Sequence, residues 1–235
     1  MHLQGERSEA PQIALIGGSG RTGSALARLL AGADRRFRVL TRDPERTRRM
    51  LGSHAEPVSA NVWDPFSIEA ALTGVERVFL HGIDPSLEPH AIAAAHRAGV
   101  RRIVMGSALG PDALGPDALG ADALGAGGGA APEHQDAEDA LRASGIAWTL
   151  LRPTAYMQSL AELVEWTMRG DAIRLPLGDA AVSWVDCRDV AAVAMHALLD
   201  AGHEGCTYVV SGPRALTGCD VAETLAHALG RPLRY

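Results

Sequence analysis

The chain has 235 residues, of which 47% are hydrophobic and 21% are charged, and its formal net charge is −6. It is long enough for one well-buried α/β domain with a small appended lobe, and its negative charge argues against a nucleic-acid partner recruited by bulk charge. No apolar run approaches the roughly 20 residues that cross a bilayer, so no membrane partner is expected. The polar first ten residues and three scattered cysteines indicate a cytoplasmic protein.

The absence of lysine narrows the chemistry further. All 22 basic residues of the sequence are arginine. Mechanisms that need a lysine amine are therefore excluded, including Schiff-base formation, phosphate binding by a Walker-type lysine and the Tyr-x-x-x-Lys pair of conventional short-chain dehydrogenases.

A glycine-rich turn near the start organises the chain. Residues 12–16 are an apolar run typical of a buried strand, and residues 24–31 have the pattern of a helix. Between them the spacing G-x-x-G-x-x-G allows a tight turn, close approach of a pyrophosphate and close packing of helix on strand. An ordinary strand–turn–helix is the alternative, but the strand and helix context favours nucleotide binding. The predicted pyrophosphate-binding residues are Gly17, Gly18, Ser19, Gly20, Arg21, Thr22 and Gly23.

The second predicted strand, at residues 37–41, ends where the adenosine ribose of a dinucleotide would lie. An acidic residue there binds the ribose 2′-hydroxyl, whereas arginine accommodates a 2′-phosphate. Arg42 occupies this position and Arg46 follows one helical turn later, so NADP(H) is favoured over NAD(H). Asp43 is the rival, but because it precedes Pro44 we interpret it as a helix cap. A solvated helix face is the alternative reading of Arg46.

The elements that follow alternate between strand and helix. A weak third strand at residues 58–62 places Asn61 and Val62 at its carboxyl end, near the adenine edge. Further strands are predicted at 77–81, 100–105, 146–151 and 206–210, and helices at 44–50, 65–72, 89–98, 132–143 and 220–229, with an alanine-rich helix that ends at residue 199. This alternation predicts an α/β fold of the Rossmann type, with a doubly wound parallel sheet.

An alanine- and glycine-rich stretch, residues 107–132, interrupts the alternation. It repeats the pentapeptide Pro-Asp-Ala-Leu-Gly in degenerate form, a period far too short for a solenoid unit. Long stretches of this kind inside a compact domain are lids or flexible segments, and we interpret this one as a flexible surface loop beside the cofactor cleft.

Six short motifs occur in the order and spacing of a known family. They lie at residues 17–23, 41–44, 150–153, 185–190, 208–213 and 229–232. From about residue 13 to residue 235 the chain resembles the NmrA-like branch of the atypical short-chain dehydrogenase/reductase superfamily. The resemblance implies an NAD(P)-binding Rossmann domain over residues 11–155 and a small C-terminal substrate lobe over residues 156–235, interleaved with the last Rossmann elements. Family members continue past this point with further helices, so the sequence is expected either to be truncated or to leave an open cleft.

The resemblance also implies roles for individual residues. Residues 17–23 would bind the pyrophosphate, Arg42 and Arg46 the 2′-phosphate, and Asn61 and Val62 the adenine. The residues that would border the nicotinamide and its ribose are His81, Gly82, Ser107, His134, Pro153, Thr154 and Tyr156.

The proton donor is left open between Tyr156, His134 and Ser107, or water. His134 stands where several members have a ribose-binding lysine, and an exposed first-turn residue is the alternative. Ser107 has the position of a substrate-binding serine, and a loop cap is the alternative. Tyr156 is expected to line the pocket with Trp166 and Trp184. The other histidines lack the spacing of a metal site, so no metal is expected.

These features predict an NADPH-dependent oxidoreductase that transfers hydride to a small carbonyl, quinone or enone substrate. Two alternatives stay open. One is an NADP(H)-binding redox sensor without turnover, and the other is a dehydratase- or isomerase-like enzyme on the same scaffold. The expected partner is a small-molecule substrate, and a homodimer is also left open.

Overall fold

The computed structural model describes residues 12–109 and 132–235 of the chain. Its strands are β1 Ile13–Ile16, β2 Phe37–Thr41, β3 Ala55–Ser59, β4 Arg77–Leu80, β5 Arg102–Gly106, β6 Ala147–Pro153, β7 Val182–Ser183, β8 Cys206–Val210 and β9 Ala215–Leu216. Its helices are α1 Arg21–Gly32, α2 Pro44–Leu51, α3 Pro65–Ala71, α4 Glu88–Arg97, α5 Pro132–Ala143, α6 Met157–Thr167, α7 Cys187–Leu199 and α8 Gly218–Leu229, with a short 3-10 turn at Pro85–Leu87.

A seven-stranded parallel sheet forms the centre of the molecule, in the order β3-β2-β1-β4-β5-β6-β8. The strand order reverses between β1 and β4, and ligands of open α/β sheets bind outside the carboxyl ends of the strands at such a point. The predicted Rossmann-type α/β fold is confirmed.

Helices cover both faces of the sheet because side chains on each strand alternate between the two faces. Ala14 and Ile16 of β1 belong to one buried cluster, together with Ile92 of α4. Leu15 belongs to the other cluster, together with Leu26 of α1. The sheet is therefore rigidly held, and its carboxyl edge is a firm base for a binding site.

A smaller unit follows β6. The short strands β7 and β9 pair antiparallel, with Val182 opposite Leu216. Val164 of α6 and Val221 of α8 share a separate apolar cluster with the fully buried Trp184. Strand β8, which lies between β7 and β9 in the chain, pairs with β6 in the main sheet. The domain boundary after residue 155 stays a prediction.

The third strand has clearly different bounds in the structure from those that the sequence predicted. The third strand covers Ala55–Ser59 rather than residues 58–62, because Pro57 is tolerated at the sheet edge, where the backbone of β3 has one neighbouring strand. An ion pair between Arg38 and Glu56, at 3.0 Å, joins this edge to β2. The predicted loop at residues 107–132 lies almost wholly outside the described residues.

Candidate cofactor-binding site

The turn between β1 and α1 has the geometry of a phosphate-binding loop. Gly17 has a φ of +83°, and an added Cβ there would overlap the backbone oxygen of His81 at the end of β4. An added Cβ at Gly23 would overlap the oxygen of Gly17. Glycine is therefore required at both positions, once for the turn and once for close packing of α1 on the loop.

The start of α1 offers free backbone donors to an anion. Gly20 is the N-cap residue, and within the described chain no side chain caps this helix end. Gly20 and Ser19 are exposed, whereas Gly18 is buried beneath them. Unpaired amides and the helix dipole together favour a phosphate at this position, so the residues present fit the pyrophosphate of a dinucleotide.

A groove in two parts runs along the carboxyl edge of the sheet, and Gly17 and Gly82 belong to both parts. The larger part, which we call the α2 side, has a volume of about 390 Å³. The smaller part, which we call the tyrosine side, has a volume of about 190 Å³. The α2 side is lined by Gly17, Ser19, Leu40, Thr41, Arg42, Asp43, Arg46, Thr47, Met50, Ala60, Val62, Trp63, Gly82, Ile83, Asp84 and Leu87. The tyrosine side is lined by Gly17, Gly20, Arg21, Thr22, Gly23, His81, Gly82 and Tyr156.

The α2 side carries both predicted arginines. Arg42 and Arg46 are exposed, and among the described residues neither guanidinium forms an ion pair. Asp43 accepts a hydrogen bond from the backbone N–H of Arg46 at 2.9 Å, so it caps α2 as the sequence predicted. Asp84, on the facing loop, similarly accepts from the N–H of Ser86 at 3.0 Å. The carboxylates of Asp43 and Asp84 therefore cap helical turns and do not pair with the arginines. The free guanidinium groups of Arg42 and Arg46 suit a 2′-phosphate.

The loop after β3 contributes one residue that was predicted and one that was not. Val62 lines the groove. Asn61 does not belong to the lining, and its Oδ1 accepts a hydrogen bond from the N–H of Trp63 at 3.1 Å. Trp63 itself lines the groove although sequence reasoning did not single it out. Its position directly after Val62 was the available signal.

The tyrosine side contains a phenol–imidazole pair. The Nδ1–H of His81 donates to the carbonyl oxygen of Gly106 at 3.2 Å, and the Tyr156 hydroxyl lies 3.4 Å from the other ring nitrogen, Nε2. Burial lowers the pKa of His81 from its ordinary value and outweighs the opposing effect of the Gly106 hydrogen bond. His81 is therefore neutral at pH 7, and its Nε2 accepts from the tyrosine hydroxyl.

Tyr156 holds its proton firmly. Burial raises the pKa of its phenol, and a hydrogen bond with Thr22 acts in the opposite direction more weakly. Because the group stays protonated across the neutral range, it is available to donate a proton rather than to accept one.

Ser107 lies behind this side and binds a buried carboxylate. Its hydroxyl donates to Oε1 of Glu138 at 2.7 Å. Arg152 and Arg142 donate to Oε2 of the same carboxylate at 2.6 Å and 2.7 Å. Burial raises the pKa of Glu138, but the hydrogen bonds from Arg152 and Ser107 outweigh it, so the pKa is lowered overall. Sequence reasoning missed Glu138, because Ser107 and Arg152 are 31 and 14 positions away from it in the chain.

His134 forms a second buried acid–base contact. Its Nδ1 lies 3.2 Å from Oε2 of Glu88, whose side chain is 1% exposed. Burial raises the pKa of Glu88, and the hydrogen bond with His134 offsets part of this shift. The charge of His134 also contributes to the lowered pKa of His81. His134 does not belong to the lining of either part of the groove.

Several other predicted residues occupy the loop that leads from β6 to Tyr156. Pro153 is buried at the end of β6, and the N–H of Thr154 donates to the oxygen of Val210 at 3.0 Å. The expectation that Trp166 and Trp184 line the pocket is wrong. Trp184 is 1% exposed and fills the core of the small lobe, while Trp166 is 76% exposed on α6.

Arg21 links the glycine-rich loop to the small lobe. Its guanidinium forms an ion pair with Glu162 of α6.

Residues 12–109 and 132–235 contain no cluster of three potential metal-ligating side chains. Within the same ranges no helix is long and apolar enough to span a membrane.

The fold and the groove define a dinucleotide-binding α/β protein. The family model for NAD(P)H-binding proteins matches residues 17–201, and the chain belongs to this family. The predicted NmrA-like, atypical short-chain dehydrogenase/reductase membership is confirmed, and so is the predicted NAD(P)H cofactor.

Named relatives cover nearly the whole chain. An NAD(P)H azoreductase of Xenophilus azovorans is 35% identical over 231 residues, which are 95% of this chain and 76% of that protein. A (4-alkanoyl-5-oxo-2,5-dihydrofuran-3-yl)methyl phosphate reductase of Streptomyces griseus is 38% identical over 226 residues, with the same coverage of 95% and 76%. The structure of an NADPH-dependent quinone oxidoreductase of Escherichia coli complexed with NADPH superimposes with a TM-score of 0.81 at 26% identity, over 95% of this chain and 77% of that chain.

Proposed function

We propose that the protein is an NADPH-dependent reductase of small, electron-poor conjugated acceptors. Quinones are the preferred acceptors, followed by enones and other activated carbonyls. The two-part groove carries this proposal. Free guanidinium groups line one part, a phenol–imidazole pair lines the other, and Gly17 and Gly82 join them. An azoreductase and a quinone oxidoreductase among the similar proteins support an acceptor of this kind.

Binding energy would come mainly from the α2 side. The loop around Gly20 presents the free amides of α1 to the pyrophosphate. Arg42 and Arg46 are available for bidentate contacts with the 2′-phosphate, which NADH lacks. This arrangement would hold the reactive end of the cofactor on the tyrosine side, where effective concentration and orientation accelerate the reaction.

When bound, the nicotinamide supplies a hydride, which carries the two electrons of the reduction. The acceptor oxygen then needs a proton. Tyr156 is the candidate that lines the groove, and its raised pKa keeps the proton on the phenol until the acceptor becomes basic. Ser107 and His134 line neither part of the groove, and they contact the buried carboxylates of Glu138 and Glu88 instead. The phenolate would regain its proton from solvent through the open groove.

The test is NADPH consumption by the purified protein with a panel of quinones, enones and azo compounds. We expect turnover with quinones that depends on both the protein and NADPH, with slower reaction when NADH replaces NADPH. Inertness across the whole panel, with NADPH binding intact, would overturn the reductase proposal. That result would favour the redox-sensor alternative, which predicts different affinities for NADP⁺ and NADPH without turnover.

We also place the protein in the cytoplasm. A nicotinamide cofactor and three cysteines without a disulfide, Cys187, Cys206 and Cys219, suit a reducing compartment. The homodimer stays a prediction, and sedimentation equilibrium of the purified protein would measure it.

A further inference from the structure

Two aromatic side chains stand out into solvent close together in the chain, after β3. The side chain of Trp63 is 67% exposed and that of Phe66 is 78% exposed. They differ in one respect that matters for binding. Trp63 lines the α2 side of the groove, whereas Phe66 lines neither described part of it.

The turn that carries Trp63 is fixed by hydrogen bonds on both sides. Oδ1 of Asn61 accepts from the N–H of Trp63 at 3.1 Å, and the carbonyl oxygen of Asn61 accepts from the N–H of Asp64 at 3.0 Å. The N–H of Asn61 in turn donates to Oγ of Ser67 at 3.1 Å. The backbone beneath the indole is therefore ordered before any ligand arrives, which reduces the entropy lost on binding.

The part of the groove around the Trp63 indole suits a flat, aromatic nucleobase. Ala60, Val62 and Leu40 give this part of the groove apolar surface, and Arg42 and Arg46 line it as well. The same space reaches Gly17 and Ser19 of the phosphate-binding loop. A heteroaromatic ring joined through a ribose to that loop would meet the indole, and aromatic rings stack on bases independently of sequence.

We propose that Trp63 is the stacking platform for the adenine ring of the cofactor and that Asn61 is a positioning residue for it. This inference rests on the proposed NADPH-dependent function and adds a specific residue to the adenine end. It also gives Asn61 a different role from the adenine contact expected from the sequence, since its side chain holds the turn instead.

Adenosine 2′,5′-bisphosphate is the probe, because it contains the adenine half of NADPH and lacks the nicotinamide. The chain has four tryptophans, and their combined emission is followed during the titration. We expect wild-type emission to be quenched on binding. Trp63→Leu should lose most of this quenching and weaken binding about tenfold, whereas Trp63→Phe, which keeps a ring, should stay within about threefold of wild type.

Two matched variants control for general effects. Phe66→Leu removes the neighbouring exposed ring, and Trp166→Phe removes an exposed indole of the small lobe. Both should bind the probe like wild type, and both should keep the quenching. Asn61→Ala should weaken binding about threefold, because the platform becomes less ordered.

Equal affinity in Trp63→Leu and wild type, or quenching that survives in Trp63→Leu, would overturn the inference. In that case the wild type still binds the probe, and the proposed function stands. Failure of the wild type to bind both the probe and NADPH would overturn the proposed function together with the inference. Circular dichroism of each variant verifies that a loss of binding does not reflect a loss of folding.

Discussion

The two parts of the groove are built in different ways. On the α2 side the side chains that matter are exposed and near each other in the chain, as Arg42 and Arg46 are. On the tyrosine side they are partly buried, distant in the chain and shifted in pKa, as His81 and Tyr156 are. The difference separates two tasks. One part selects and holds the cofactor, and the other controls a proton where the substrate reacts, so each can be altered without the other.

Gly17 is the point where the two parts meet, and altering it should disable both. Gly17→Ala forces a non-glycine residue to a φ of +83° and overlaps the backbone oxygen of His81. Backbone strain alone is about 1–3 kcal/mol, and relief of the overlap must also displace the turn that would bind the pyrophosphate, so we expect NADPH affinity to fall by about 100-fold. Calorimetric titration measures this loss.

Gly32→Ala is the matched control. Gly32 ends α1, and an added Cβ there meets nothing within 4 Å. Its NADPH affinity should be unchanged and its stability equal or slightly higher, since alanine favours helix. Wild-type affinity in Gly17→Ala would contradict the role of the turn.

The two buried carboxylates behind the tyrosine side, Glu138 and Glu88, should change the pH dependence of stability in opposite directions. Glu138 has a lowered pKa in the folded chain, so its stabilisation is present above its unfolded pKa of about 4.3 and is lost as pH falls through the folded value. Glu138→Gln leaves Arg152 and Arg142 without their shared carboxylate and should cost about 3 kcal/mol at pH 7.

Glu88 is the contrasting case, because burial raises its pKa. Its contribution is greatest below the unfolded pKa and declines as pH rises through the folded value, so Glu88→Gln should become less destabilising towards pH 8. Urea unfolding of both variants and wild type over about pH 3–8 measures the two trends. Parallel trends for the two glutamates would refute the opposite signs assigned here.

Removing the phenol hydroxyl should impair the tyrosine side alone. Tyr156→Phe takes away the group that lines the groove beside His81. We expect kcat for quinone reduction to fall about 100-fold while the Kd for NADPH stays within about twofold. Steady-state kinetics with a parallel binding titration separates the two effects.

Tyr208→Phe is its control, because the Tyr208 hydroxyl also contacts a histidine, His203 at 2.9 Å, but lies outside the groove. It should retain wild-type kcat. A Tyr156→Phe variant with wild-type kcat would remove Tyr156 from the proton transfer.

Removing a guanidinium should impair the α2 side alone. Arg42→Ala is expected to weaken NADPH binding about 20-fold and to leave NADH binding nearly unchanged, because the lost contact is with the 2′-phosphate. Arg49→Ala removes another exposed arginine of α2 that does not line the groove, and it should have little effect. Equal losses for NADPH and NADH in Arg42→Ala would mean that this arginine does not read the 2′-phosphate.

The same contrast explains what the sequence could predict. Residues 17–23 and 42–46 are contiguous motifs, so the spacing within each motif indicates its geometry directly. Residues of both motifs line the groove in the structure. The parallel, doubly wound sheet was also predicted correctly from the alternation of strands and helices. Trp63 was missed because a single aromatic residue has no periodic pattern that marks it.

The residue pairs that lie behind the tyrosine side could be identified only from the folded chain. Ser107 and Glu138 are 31 positions apart, and His134 and Glu88 are 46 apart. Packing of α4 and α5 against the sheet brings these pairs together, and no local pattern records such a contact. The direction of each pKa shift depends on that packing, which is why candidate proton donors could be named from sequence but not ranked.

A crystal structure with bound NADPH tests the central claim most directly. We expect the pyrophosphate over Gly17 and Gly20, the 2′-phosphate beside Arg42, and the nicotinamide on the same side as Tyr156. Density for NADPH in the reverse orientation, or a groove that stays empty at saturating NADPH, would contradict it.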